Sequence, residues 1–504
     1  MSDSRSSTID GIIRRSASAF GDRVALIFGD REWTYRELDD ATSPAAAYLL
    51  GLGAATGDRI AAFGKNSDAY LLGFLGCARA GLVHVPLNYN LTGEELRYLI
   101  AQSGATFALA DPGLAGRIAD LDDVSIPVHP LRDADGSLLG AARSGEVPDP
   151  GVEVADGDLV QLLYTSGTTS LPKGAMMTPR AFIHQYVGCL TALDLTADDN
   201  PLHVMPLYHS AQMHVFLIPW LAVGARNTLL ETPDAGDILR RMAADRHGAF
   251  FAAPTLWVAL TNHPEFAGKD LSALAKAYYG SSIMPGPVVT RLQEKMPHLG
   301  LYNCFGQSEM GPLCTVLRPE EHTDRPDSAG RPVLFTELRV VDDAGADVAP
   351  GELGEVVYRS PQLCLGYWEK PEETAEAFRD GWFHSGDLVR LDEDGYLTVV
   401  DRIKDVINSG GVLIASREVE DALFSHPAVA EAAVIGTPDE KWIEAVTAVV
   451  VLKEPVAAED LIAHTRARLA GFKVPKAVHV VDALPKNTSG KILKRELRDT
   501  IAAQ

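Results

Sequence analysis

The stretch Tyr164-Thr-Ser-Gly-Thr-Thr-Ser-Leu-Pro-Lys-Gly174 has the clearest chemical content in the chain, and it directly follows the mostly apolar run Leu159 to Leu163. Glycine and small hydroxyl residues leave backbone N–H groups unobstructed, the hydroxyls add donors, and Lys173 supplies a point charge. Together these are the parts of a phosphate cradle. A plain Ser/Thr/Gly surface loop has no need of this order or of the closing Lys-Gly. The spacing differs from that of P-loop NTPases. Gly167 is followed by Thr-Thr-Ser-Leu-Pro172 before Lys173, Pro stands in place of the second glycine, and no hydroxyl follows the lysine to hold a metal. A second set of cations, Lys473, Lys476, Lys486, Lys491, Lys494, Arg495 and Arg498, faces only Asp482 and Glu496 between 471 and 498. By charge alone that region reads as a solvated basic end.

The elements that must carry these residues follow from the apolar pattern. Arg59 to Phe63 reads as a strand, Asp68 to Ala80 has helical spacing, and Leu82-Val-His-Val-Pro86 reads as the next strand. This is a βαβ unit, which packs into a parallel sheet flanked by helices. The alternation returns near 156–190, 201–222 and 236–260. From about 336 the texture changes to short β runs, Leu338 to Val341, Gly354 to Arg359 and Tyr396 to Val400, which predict an antiparallel sheet or barrel. After Asp401 come a helix from Ser416 to Ser425, strands Val429 to Gly436 and Ala445 to Leu452, a helix over 457–469 and a strand Val478 to Val481. The fold expected is α/β. A large N-terminal domain over 1–401 has parallel sheets and flanking helices, with a β-rich subdomain at about 336–400. A small α+β domain spans 402–504.

Composition excludes other classes. Of 504 residues 46% are hydrophobic and 22% charged, an ordinary globular mix. Lys+Arg 45 against Asp+Glu 68 leaves a formal −23, which argues against nucleic acid as a partner. Cys77, Cys189, Cys304, Cys314 and Cys364 are few, odd in number and far apart, so free thiols in a reducing compartment are expected. The 14 His form no metal-ligand pattern, and the N-terminal residues lack an apolar signal core. The apolar stretch Val215 to Ala225 holds Pro219 and Gly224 and falls short of the ~20 residues of a membrane span. A soluble cytoplasmic protein with no transmembrane segment is expected.

Further motifs flank the cradle in a fixed order. Before it stand Thr34-Tyr-Arg-Glu-Leu38, Gly57-Asp-Arg-Ile-Ala61 and Ala80-Gly-Leu-Val-His-Val-Pro-Leu-Asn88. After it come Pro206-Leu-Tyr-His209, Gly280-Ser-Ser282 and Asn303-Cys-Phe-Gly-Gln-Ser-Glu309. The series ends with Trp382-Phe-His-Ser-Gly-Asp387, Asp401-Arg-Ile-Lys-Asp405, Ser409-Gly-Gly411 and Pro485-Lys-Asn-Thr-Ser-Gly-Lys491. Nearly the whole chain thereby resembles the adenylate-forming superfamily, in its acyl-CoA synthetase branch.

The resemblance implies that a carboxylic acid is joined to AMP from ATP and then passed to the thiol of coenzyme A. Two anions meet at the α-phosphorus, so cations must offset their charge. Glu309 resembles the Mg²⁺ ligand, with Thr168 of the cradle beside it, and Lys491 resembles the catalytic lysine of the adenylation step. The nucleotide would be held by Thr165, Ser166, Gly167, Thr168, Thr169 and Lys173, by Gly280, Ser281 and Ser282, and by Asn303, Phe305, Gly306, Gln307 and Ser308. Phe305 is in the adenine-stacking position, and Asp387 with Arg402 is on the ribose. Lys404 matches the hinge about which the small domain rotates after adenylation, presenting Ser409, Gly410 and Gly411 to the thiol. Some positions depart from the pattern: Ser170 stands where Gly is usual, Ser308 where Thr is, and Val412-Leu413 where many relatives carry Glu-Asn.

Substrate choice is read at two positions. His209-Ser210 stand where amino-acid-activating relatives place an Asp, and Ala259 stands where malonate-specific relatives carry an Arg. A neutral-tailed monocarboxylic acid, aliphatic or aryl, is therefore expected in a pocket that includes His209, Met213, Trp257, Tyr279 and Gly280. By residue type Met213, Val215, Phe216, Trp257 and Tyr279 read equally as core. Three functional readings stand: an acyl-CoA synthetase, an enzyme loading a separate carrier protein, and an inactive nucleotide-binding sensor. Lys173, Glu309, Asp387, Arg402 and Lys491 argue against the last. A lysine acetyltransferase acting on Lys491 and a second copy in a homodimer are the protein partners expected.

Overall fold

The computed structural model describes residues 7–145, 147–165, 171–281, 284, 286–410, 412–439, 442–486 and 492–502. The strand Arg59–Phe63, helix Asp68–Ala80 and strand Val83–Pro86 form the expected βαβ unit, its strands parallel with Ala61 opposite Val85. Ser67 opens the helix by accepting from the Tyr70 N–H, and Gly81 in the left-handed conformation closes it. All residues of this helix are buried, which explains its almost continuous apolar sequence.

The unit belongs to a six-stranded sheet ordered Val128–Pro130, Ala105–Ala110, Arg59–Phe63, Val83–Pro86, Gln161–Thr165, Lys173–Met177. Neighbours are parallel until the last pair, where Gln161–Thr165 turns back antiparallel into Lys173–Met177. Thr165 and Lys173, near the two ends of the hydroxyl-rich run, thus pair at a sheet edge. A nine-stranded sheet runs Arg331–Pro332, Leu313–Leu317, Gly300–Gly306, Lys276–Gly280, Ala249–Ala252, Pro201–His203, Asn227–Leu229, Val24–Phe28, Arg31–Thr34. Its interior is parallel and both edges are antiparallel. The period of two is visible in its packing. Phe250 and Tyr279 enter one buried cluster with Trp257, while Phe251 and Tyr278 enter another with Phe216 and Trp220.

The β-rich segment is an antiparallel sheet ordered Glu337–Val341, Leu353–Arg359, Trp382–Leu391, Phe378–Arg379, with Leu397–Arg402 also pairing Trp382–Leu391. A further sheet runs Val412–Ile414, Ile407–Ser409, Ile443–Leu452, Val429–Asp439, with Ala477–Val480 parallel to Ile443–Leu452. Helices Ser416–Phe424, Ala458–Arg466 and Lys494–Ala502 accompany it. The chain divides into two units. One is built from residues up to Thr165, Pro172–Glu337 and Arg359–Glu376, the other from Leu338–Tyr358 and Ala377 onward. The β-rich segment therefore groups with the C-terminal α+β elements. Among the described residues no helix is long and apolar enough to cross a membrane.

Candidate active site

Glu309 is placed by a hairpin that tolerates only glycine at its entry. The strand Gly300–Gly306 returns as Leu313–Leu317, and a Cβ on Gly306 would come within 1.8 Å of Pro312 O. The Gln307 N–H donates to that oxygen at 2.9 Å. A short 3₁₀ turn, Ser308–Met310, follows and ends on Gly311 at φ 87°. Glu309 is left 8% exposed, with its Oε1 accepting from the Tyr367 hydroxyl at 2.9 Å.

Tyr367 ties this turn to the strand Lys173–Met177. The segment around Gly366 runs antiparallel to Lys173–Met177: Met176 N–H donates to Gly366 O at 2.9 Å, and Trp368 N–H to Gly174 O at 2.8 Å. The pairing brings Lys173 Nζ to 5.0 Å from the centroid of the Tyr367 ring. Lysine, tyrosine ring and carboxylate therefore line up within one unit. Sequence reasoning missed Tyr367, for which Gly366-Tyr-Trp368 ahead of Glu369-Lys370 was the only local cue. Cys364, whose N–H donates to Glu309 O at 2.8 Å, is no nucleophile, because burial and then the Glu309 charge push its thiol well up.

The neighbouring parallel strands end in bare backbone. Tyr279 lies opposite Asn303, and Gly280 opposite Cys304. A Cβ on Gly280 would stand 2.3 Å from Cys304 O, and Ser281 holds a left-handed φ of 69°. Open α/β sheets bind ligands at the carboxyl ends of their strands, where this geometry occurs. Phe305 is half-buried there. The Asn303 amide is committed to the fold, donating to Ser328 O at 2.9 Å. Gln307 Nε2 is buried and has no hydrogen-bond partner among the described residues.

The acid-side candidates are largely satisfied internally. Trp257 donates its indole N–H to Tyr278 O at 3.1 Å. The Tyr279 hydroxyl donates to His322 Nε2 at 3.0 Å, because His322 Nδ1 donates to Arg318 O at 2.9 Å. Met213 is fully buried. His209 is half-buried, and desolvation lowers its pKa, so it is neutral at pH 7. Val215 and Phe216 pack as core. Ala259 is exposed on the helix Pro254–Asn262, and with about 100° per residue it faces away from Trp257.

In the other unit, Asp387 is 6% exposed and lies opposite Arg402 across two strands. Arg402 Nη1 donates to Asp387 Oδ1 and to Ser385 O, both at 2.8 Å. Gly386 N–H donates to Glu355 Oε1 at 2.8 Å, which fixes the turn before Asp387. Asp401 caps the helix Ser416–Phe424, accepting from Ser416 N–H at 2.7 Å and Oγ at 2.6 Å. Asp405 accepts from Arg498 at 3.0 Å, while Lys404 is exposed. Ser409 is buried, Gly410 sits at φ 64°, and Val412 and Leu413 are exposed. Lys494 corrects its sequence reading as a surface lysine. Its amine pairs with Glu420 at 2.8 Å and reaches Ser416 Oγ at 2.5 Å. Burial works against its charge, but Glu420 and then Asp401 outweigh that and hold the amine above the usual lysine range.

Ser166, Gly167, Thr168, Thr169, Ser170, Ser282, Gly411 and Lys491 lie outside the described residues. Among the described residues no group of three or more His, Cys, Asp or Glu gathers to hold a metal. One buried carboxylate, Glu309, is a donor set that fits Mg²⁺ shared with nucleotide phosphates.

Residues 13–368 match the family described as AMP-binding enzyme, and residues 418–491 its C-terminal domain. The chain is 38% identical to a feruloyl-CoA synthase of an Amycolatopsis species, over 94% of this chain and 95% of that protein. It is 33% identical to a long-chain-fatty-acid–CoA ligase of Salmonella typhimurium, over 97% and 93%. The crystal structure of ATP-bound MatB from Rhodopseudomonas palustris superposes with a TM-score of 0.88 at 30% identity, covering 98% of this chain and 99% of that one. Two matched regions in order, the first covering well over half of the chain, lead to one conclusion: the chain belongs to the AMP-binding enzyme family.

Proposed function

We propose that the chain is an ATP-dependent, AMP-forming acyl-CoA synthetase for a neutral-tailed monocarboxylic acid, aryl or fatty. The observation that carries this is the grouping of Lys173, Tyr367 and Glu309, a cation over the face of one ring and a buried carboxylate bonded to its hydroxyl. The similarity to a feruloyl-CoA synthase and a long-chain-fatty-acid–CoA ligase supports the reading. In the first step an acid oxygen attacks the α-phosphorus of ATP and pyrophosphate leaves with the electron pair of the broken P–O bond. In the second the CoA thiol attacks the acyl carbon, loses its proton and expels AMP.

Lys173 and Lys491 offset phosphate charge, and Gln307 Nε2 donates to the nucleotide. Asp387, oriented by Arg402, accepts from the ribose hydroxyls. Mg²⁺ held by Glu309 and ATP would neutralise phosphate charge, and the Tyr367 hydroxyl keeps that carboxylate aimed. Rotation of the C-terminal domain about Lys404, with Gly411 facing the thiol, belongs to the same proposal. So do a cytoplasmic location, in keeping with five buried free thiols, and silencing by acetylation of Lys491, which removes its charge.

Pyrophosphate release over a panel of acids, with and without CoA, tests the reading. Aryl and fatty monocarboxylates should exceed malonate and α-amino acids in kcat/KM by about tenfold or more, and thioester should form with free CoA. The best rate with malonate or an amino acid refutes the substrate class. Thioester formed only on a carrier protein refutes the acceptor.

A further inference from the structure

Pro219 leaves a gap in the backbone that a buried glutamine fills. In the π-helix Ala211–Leu217 the Ile218 N–H donates to Met213 O, five residues back. The next donor in that series belongs to residue 219, which as proline has none. Gln185, on the buried face of the helix Pro179–Ala192, supplies the bond from Nε2 to His214 O at 3.0 Å.

The His214 ring is held equally closely. It stacks on Phe182 with centroids 3.8 Å apart. Burial keeps the His214 and His84 rings neutral, with His84 pushed down to about 3, so each has one donor and one acceptor nitrogen. The Tyr186 hydroxyl donates to His214 Nδ1 at 2.8 Å, His214 Nε2 donates to Gln161 Oε1 at 2.8 Å, and Gln161 Nε2 donates to His84 Nδ1 at 3.0 Å. Gln161 opens the strand Gln161–Thr165 that runs into the phosphate cradle. The other end of Gln185 meets the Glu309 turn. Its Oε1 is buried with no hydrogen-bond partner among the described residues, and a methyl group on Gly311 would come within 2.2 Å of it.

We infer that Gln185, His214 and Gln161 are positioning residues that fix the acid-side π-helix against both the phosphate strand and the Glu309 turn, so that acid and ATP strengthen each other's binding. This rests on the reading of the chain as an enzyme that adenylates an acid. A π-helix has poorer internal hydrogen bonding than an α-helix, so its register depends on side chains from outside. Here those side chains also touch the elements that carry Glu309 and lead to Lys173. An acid that orders the π-helix around Met213 orders the nucleotide elements too, and linkage makes the effect reciprocal.

The test measures the affinity of α,β-methylene-ATP, which cannot be cleaved at the α-phosphorus, with and without the acid that gives the fastest wild-type pyrophosphate release. In the wild type the acid should tighten the analogue on the order of tenfold. Gln185→Met keeps the volume and removes both polar atoms. Its ratio should fall to about one while each separate affinity shifts less than about threefold. Tyr186→Phe removes an equally buried bond to the same histidine and should keep the wild-type ratio, which separates positioning from loss of stability. Gln161→Met carries the same expectation as Gln185→Met and replaces it if that variant does not fold. A wild-type ratio of one, an unchanged ratio in Gln185→Met, or an equal loss in Tyr186→Phe overturns the inference. Absence of pyrophosphate release by the wild type with every acid overturns the functional reading instead.

Discussion

The Tyr367 hydroxyl separates the roles of binding and aiming at Glu309. Tyr367→Phe keeps the ring under Lys173 and removes the bond to Oε1. A buried carboxylate that loses a donor of this kind costs about 1–3 kcal/mol, so pyrophosphate release should fall about tenfold to a hundredfold, mostly in kcat. Glu309→Gln removes the charge itself and should lose more, with no recovery at higher Mg²⁺. Equal rates for Tyr367→Phe and wild type would show that the carboxylate needs no orientation. The two residues also differ in how legible they were. Glu309 stands in a recognisable run of seven residues, whereas Tyr367 acquires its role from the pairing of the segment around Gly366 with Lys173–Met177, remote in sequence.

Elements were legible where a period exposes them. The strand Arg59–Phe63 and the helix Asp68–Ala80 occupy the ranges that their apolar spacing predicts, and the strands near 338, 354 and 397 fall where turn residues bracket them. Two features had no such signal. The π-helix at Ala211–Leu217 has no apolar period of its own, and the grouping of the β-rich segment with the C-terminal elements comes from packing. Lys494 illustrates the second. Read as a surface lysine in a solvated basic end, it is instead the half-buried first residue of the helix Lys494–Ala502, bonded to Glu420 and Ser416 with Asp401 nearby. Lys494→Met leaves those carboxylates without their cation, so urea unfolding of the C-terminal elements should lose about 3 kcal/mol. Lys486→Met removes a half-exposed pair with Glu431 and should lose less than about 1 kcal/mol. A similar loss in both variants would mean that Lys494 is solvated.

Across the whole molecule, buried neutral histidines set an acid limit on stability. Burial pushes His84 down to about 3 and His203 to about 4. Below the unfolded value of about 6.5 the unfolded chain takes up protons that these rings refuse in the folded state. The unfolded state then binds more protons, so stability is lost as pH falls from about 6.5 towards about 4, by up to about 1.4 kcal/mol per pH unit for each ring. His84→Gln removes one of them, and its unfolding free energy should fall less steeply than that of the wild type by about 1 kcal/mol per pH unit between pH 6 and 4. Parallel slopes would mean that His84 is protonated in the folded protein. The five cysteines have an experimental consequence of their own. All are buried, and the shifted thiols among them lie above the usual range, so a maleimide added to the native protein meets no ready thiolate. A cysteine introduced at the exposed Glu94 of one unit and another at the exposed Asp499 of the other can then be labelled with a donor–acceptor dye pair in the unaltered background. A change in energy transfer during turnover would support the proposed rotation about Lys404, and a constant signal would refute it.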